Sequence, residues 1–146
     1  MIVLRRRTDW PARLTAFFNA TRGEPYRLST MDCAVWPLRA VDAMCATAHA
    51  EAFRDQYDSP ESAMAYVTSR GWTCARDALI EFGCRPLTSP LFAQRGDIAV
   101  LPADPPLVLA LQVGGTFYMP EPSGEWRALT LQVASRLGAE AFAVGR

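Results

Sequence analysis

The chain has no lysine and a single histidine, His49. Its fifteen basic residues are all arginines, balanced by fifteen acidic ones, so no net field draws nucleic acid or an anionic membrane. Arginine is also the cation that interfaces favour over lysine. Long apolar runs are missing. The longest clean one spans Leu107 to Leu111, where a membrane-crossing helix needs ~20 residues. The charges of Arg5, Arg6 and Arg7 follow a very short apolar start, the reverse of a secretory signal. Neither export nor membrane insertion is expected. The four cysteines, Cys33, Cys45, Cys74 and Cys84, lack the close pairing that marks a zinc site. Cys45, Cys74 and Cys84 read as small buried hydrophobes; the other reading is an iron–sulfur site using all four. Neither cofactor nor metal is expected, and there is no internal repeat or low-complexity tract.

What remains is an ordinary globular composition. Of 146 residues, 50% are hydrophobic and 21% charged, enough for one domain that buries roughly 70% of its unfolded surface. Residues 1–8 read as an N-terminal arm, either solvated or docked on a partner, and 9–146 as the domain. Thr8 or Asp9 can cap a first helix, with Pro11 in its tolerant first turn and Leu14, Phe17 and Phe18 inward. A second helix is expected from near Asp32 toward His49, with Pro37 removing the bond to the Cys33 carbonyl. Ser59, Pro60 and Glu61 are the cap, first residue and dipole-matching acid of a third helix. A short fourth runs from about Thr73 to Glu81, before Gly83.

From Gly96 the period changes to that of strands. Ile98–Leu101, Leu107–Val113, Thr116–Met119 and Trp126–Leu131 are β-rich, with Gly114-Gly115 as a hairpin signal and Ala141–Val144 as a last strand. Helices first and an antiparallel meander after predict an α+β fold.

The chemistry concentrates between Gly23 and Val41. Pro25 and Tyr26 precede a short polar link, then Asp32 and Cys33 open a helix. A thiol there faces unpaired N–H groups and the positive end of the dipole, which favours thiolate. The same N–H groups can hold an oxyanion, and Asp32 can cap the helix. Alternatively Cys33 is simply buried, and Tyr26 is either substrate-facing or a core aromatic.

These residues resemble the NlpC-type cell-wall cysteine peptidases, relatives of papain in fold. Those enzymes carry a Pro-Tyr pair, a loop, then Asp-Cys at the head of the central helix; Arg95-Gly96-Asp97-Ile98 is similar to the Gly-Asp entry to their sheet. The chain resembles still more closely a group of small phage-encoded, tail-associated domains of unassigned activity. The resemblance implies a papain-like architecture in which a Cys-bearing helix packs on a small antiparallel sheet. It also implies Cys33 in the nucleophile position, with Tyr26 and Asp32 beside it. The family's histidine falls by register at Val108, and the residue that orients it falls near Tyr118 or Met119.

His49 cannot substitute. It lies sixteen residues after Cys33, ~24 Å along a continuous helix, whereas a nucleophile and its base must approach within ~3 Å. It reads as a surface or helix-end residue. Losing a base costs about a million-fold in a well-studied protease. The resemblance thus implies a degenerate peptidase domain acting as a structural or docking part of a phage tail tip or baseplate. Such a protein is made in the host bacterial cytoplasm and resident in the virion. Its partners would be other tail proteins and, as a further candidate, peptidoglycan; neither nucleic acid nor membrane is expected. Contact surface is expected from Arg5–Arg7 and from Trp126 with Phe117 and Tyr118. The alternative is an active hydrolase of peptidoglycan peptides, using Cys33 with an unconventional base.

Overall fold

The computed structural model describes residues 3–103 and 107–146; Met1 and Ile2 of the expected arm lie outside it. The helices come first. α1 spans Trp10–Thr21 and α2 Val35–Cys45, followed by a 3-10 turn at Ala50–Phe53, then α3 (Pro60–Ser69) and α4 (Ala75–Glu81). The strands follow as β1 (Arg85–Pro86), β2 (Ile98–Val100), β3 (Leu109–Val113), β4 (Thr116–Pro120), β5 (Trp126–Thr130) and β6 (Glu140–Ala143). A 3-10 turn at Pro90–Phe92 precedes β2, and α5 (Leu131–Arg136) lies between β5 and β6. The six strands form one antiparallel sheet in the order β1-β6-β2-β3-β4-β5. The α+β class follows directly.

Strand alternation divides the core in two. Ile98, Val100, Leu109, Leu111 and Phe142 face α1–α4. Ala99, Leu101, Ala110, Phe117, Met119 and Ala141 face the opposite side, where Ala134 of α5 covers them. Small residues dominate that second layer, so a helix of six residues suffices as its lid.

Local chemistry explains most boundaries. Ser59 and Ser62 form a reciprocal capping box at α3. Gly114 and Gly115, at φ 63° and 85°, make the two-residue turn that pairs Val113 with Thr116. α2 does not reach His49. It stops at Cys45, where Ala46 turns left-handed at φ 55°. The cause lies one turn back: the Asp42 carboxylate accepts from the Thr47 hydroxyl at 2.6 Å and from the backbone N–H groups of His49 and Ala50 at 2.8 and 2.9 Å. Those bonds pull the chain out of the helix and cap the next turn.

Residues 3–8 are not a free arm. The Arg6 guanidinium donates to Asp97 Oδ1 at 2.9 Å and to the Val144 carbonyl at 2.6 Å, and it stacks 4.2 Å from the Trp10 ring centroid. The Arg7 N–H donates to Met44 O at 2.8 Å. Arg146 pairs with Asp97 as well. Asp97 is wholly buried and also accepts from the Gln94 and Val144 N–H groups, so one carboxylate fastens both chain ends to the head of β2. Gly96 makes this possible: it sits at φ 90°, and a Cβ there would lie 2.7 Å from the Met44 sulfur.

Candidate functional site

The loop between Tyr26 and Asp32 brings the candidate residues together. Arg27 and Met31 form an isolated antiparallel bridge, with N–H to O distances of 3.0 and 2.8 Å. The closed loop places Tyr26 and Asp32, which flank it, next to one another. Ser29 at its tip adopts φ 71°, a strained state for a side chain. Its N–H donates to Asp32 Oδ2 at 2.9 Å and its Oγ accepts from the Asp55 N–H at 3.1 Å. These bonds hold the strained residue in place.

Asp32 is the hub. It is 2% exposed, and its Oδ1 accepts from the N–H groups of Ala34 and Val35 at 3.0 and 2.7 Å. Its carbonyl accepts from the Trp36 N–H at 3.0 Å. Asp32 therefore caps the turn that leads into α2, and Cys33 lies in that turn, two residues before the helix begins at Val35. α2 has 11 residues and α1 has 12, so the cysteine does not head the longest helix. The remaining oxygen, Oδ2, accepts from the Tyr57 hydroxyl at 2.6 Å. Sequence reading missed Tyr57, because nothing near Asp58-Ser59-Pro60 marks that tyrosine as Asp32's partner.

A second bond fixes the cysteine's backbone. In an uninterrupted helix the Cys33 carbonyl would accept from residue 37, but proline has no N–H to give. The Leu109 N–H of β3 donates to it instead, at 3.2 Å. The vacancy that Pro37 creates thus joins α2 to the sheet one residue from Val108. Cys33 and Val108 share a groove with Tyr26, Leu28, Asp32 and Leu107.

The thiol in this groove is held protonated. Burial pushes Cys33 up to about 12, the nearby Asp32 charge adds to the shift, and the Tyr26 hydroxyl beside it acts only partly in the other direction. Burial likewise raises the Tyr26 phenol, with the cysteine as the second cause. The expected thiolate is thus corrected, because desolvation outweighs the helix end. Asp32 also occupies three of the N–H groups expected to hold an oxyanion, those of Ala34, Val35 and Trp36.

Other sequence candidates lie elsewhere. The His49 ring stacks on Phe82 with centroids 4.3 Å apart, and its Nε2 is buried without a partner among the described residues. It is half-buried rather than a surface residue, and the helix end at which it stands is the N-terminal end of the Ala50–Phe53 turn, not the end of α2. Tyr118 packs edge-on against Phe18 at 5.4 Å, and Met119 lies in the second core layer, so neither lines the groove. Trp126 donates to the Arg22 carbonyl at 3.0 Å and meets Trp36 edge-on at 4.7 Å, and Phe117 is wholly buried. Trp126 and Tyr118 bind α1 and α2 to the sheet and Phe117 packs in the second core layer, so none of them stands free for a partner. Among the described residues, no three His, Cys, Asp or Glu side chains are grouped to hold a metal, and no helix is long and apolar enough to cross a membrane.

The family described as a domain of unknown function (DUF6950) matches residues 5–143. The chain belongs to that family. The match takes in the Arg6–Asp97 anchor, the Tyr26–Cys33 loop, Tyr57 and Val108, so the family unit contains the whole site. No curated protein matches the chain.

Proposed function

We propose that this DUF6950 domain is a non-catalytic relative of the NlpC-type cysteine peptidases, with a papain-like arrangement of helix and sheet. Its role on this reading is a structural or docking component of a phage tail tip or baseplate. The observation that carries the non-catalytic part is the wall around Cys33. Val108 stands where the resemblance calls for histidine, and Asp32 takes the N–H groups of Ala34, Val35 and Trp36, which could otherwise hold an oxyanion. Removing one oxyanion donor costs about 10²–10³ in turnover; removing the base costs more still. The tail-tip part is supported by the resemblance to phage-encoded domains, and fold alone does not fix a role.

Since Arg6, Phe117 and Trp126 are engaged internally, the contact surface falls elsewhere. The Pro90–Phe92 turn packs against α5, leaving Leu91, Phe92, Val133 and Leu137 exposed, Phe92 by 64%. Clustered apolar exposure of this kind marks an interaction site. The second reading is an active hydrolase that uses Cys33 with an unconventional base.

One experiment separates them: particles lacking this protein, compared with particles carrying Cys33→Ala. Tails that fail to assemble without the protein yet stay infective with Cys33→Ala support the structural role. Normal assembly without it, with wall digestion lost in Cys33→Ala, establishes the hydrolase instead.

A further inference from the structure

Cys45 and Cys84 are free thiols that approach one point of the fold from two sides. β1 pairs Arg85 with Ala143 of β6. One step further along that antiparallel register, Cys84 stands beside Val144. Cys45 is the last residue of α2, and its sulfur packs on the residue after Val144. A Cβ added to Gly145 would lie 3.1 Å from Cys45 Sγ. The two cysteines therefore flank a single dipeptide, Val144-Gly145. Glycine, at φ 68°, is what lets the sulfur come so close.

Electrostatics puts the thiols within range of one another. Burial pushes Cys84 up to about 12, and the charge of Cys45 is the second cause. Both belong to the same apolar cluster, Cys84 inside it and Cys45 at its half-buried margin. The other two cysteines are placed apart: Cys33 lies in the groove with Val108, and Cys74 precedes α4. Access sets an order of reaction. Cys45 can meet a reagent from solvent, whereas Cys84 meets only its neighbours.

We propose that Cys45 and Cys84 form a redox modification site, closed to a disulfide by a small-molecule disulfide such as oxidised glutathione. The Cys45 thiolate attacks one sulfur of the oxidant, giving a mixed disulfide and releasing one glutathione. The Cys84 thiolate then attacks Cys45 Sγ and expels the second. Two protein thiols lose two electrons and two protons, and the oxidant is reduced to two thiols. The bond ties the end of α2 to the start of β1, beside the closure at Asp97, and encloses α3 and α4 in its loop. The pair stays open in a reducing cytosol and closes in an oxidising space. On the tail-tip reading, it would close after the particle leaves the cell.

The test is oxidation of the folded full chain with oxidised glutathione, then alkylation in denaturant and tryptic mapping without reductant. Arginines separate the four cysteines, so each falls in a different tryptic peptide. The expected product has lost two hydrogens and carries one cross-link, between residues 40–54 and 77–95. Dithiothreitol should reverse it. Cys74→Ser should leave the cross-link intact, and Cys45→Ser should abolish it. The mapping of the unaltered chain decides alone if a variant fails to fold. Oxidation of the chain in urea should instead give a mixture that includes pairings with Cys33 and Cys74. A folded chain that keeps four free thiols, stops at a glutathione adduct on Cys45, or gives the same mixture as in urea overturns the inference. Its failure leaves the reading of Cys33 untouched.

Discussion

Asp32 shows how much one side chain can settle. The sequence marks it as a helix cap, and its carboxylate caps the turn that enters α2. What the sequence does not show is that the same carboxylate also holds Ser29 in a left-handed turn and receives the Tyr57 hydroxyl from twenty-five residues away. Asp32→Ala removes the cap, worth about 1 kcal/mol, and strands buried donors that cost about 1–3 kcal/mol each. A loss of at least 3 kcal/mol in urea unfolding is expected; a loss below 1 kcal/mol would contradict the hub role. Tyr57→Phe removes a single bond to a charged acceptor and should cost about 1.5–3 kcal/mol in the same measurement.

The pKa directions add a pH signature at this scale. Cys33 and Cys84 are both raised to about 12, with burial the first cause in each. In the unfolded chain a thiol ionises near 8.5. Above that pH the unfolded state has released protons that the folded state keeps, so stability falls as pH rises from about 8.5 toward 12. Melting temperature followed from pH 7 to 10 should decline above 8.5. Cys84→Ala, which removes one of these titrations, should flatten the decline.

At the scale of elements, legibility followed range. α1 and α3 could be read because their signals are local: a proline in the first turn and, for α3, a serine cap. The Gly114-Gly115 turn declares its hairpin in the same way. The end of α2 could not be read, because Asp42 competes for the backbone only once the chain has turned back over it. β6 was visible as an apolar segment, but its place between β1 and β2 depends on pairing with residues at least forty positions away. α5 is too short and too alanine-like in its burial to show a helical period. Pro37 joins the two kinds of information: sequence shows which carbonyl it frees, and only the fold shows Leu109 arriving to use it. Its neighbour Trp36 is wholly buried against Phe17 and Trp126 and bonded to Thr21 Oγ1 at 2.8 Å. Trp36→Ala should therefore cost about 3–5 kcal/mol, measured by urea unfolding.

For the whole molecule, the unexpected feature is closure at Asp97. The Gly-Asp pair that carries part of the family resemblance has a structural role here, tying Arg6 and Arg146 to β2. Breaking a buried pair by removing one partner costs about 3–5 kcal/mol, so Asp97→Ala, or deletion of residues 1–8, should destabilise the entire domain. A deletion that melts within a degree of the full chain would show that the N-terminal residues are a free arm after all. The site is similarly divided between sequence and fold. Tyr26, Asp32, Cys33 and Val108 were nameable from motif and register, and the structure gathers them in one groove. Tyr57 and the protonated thiol depend on burial, which no local pattern records.

The central claim, that Cys33 occupies a nucleophile's place without a nucleophile's chemistry, is tested most directly by its alkylation rate. Iodoacetamide labelling of the Cys33 peptide, quantified by mass spectrometry across pH 6 to 10, reports the thiolate fraction at that residue. The account predicts a rate at pH 7 well below that of a free cysteine, rising about tenfold per pH unit with no plateau. A plateau below pH 8, at a rate matching or exceeding free cysteine, would contradict it and return the protein to the enzymes.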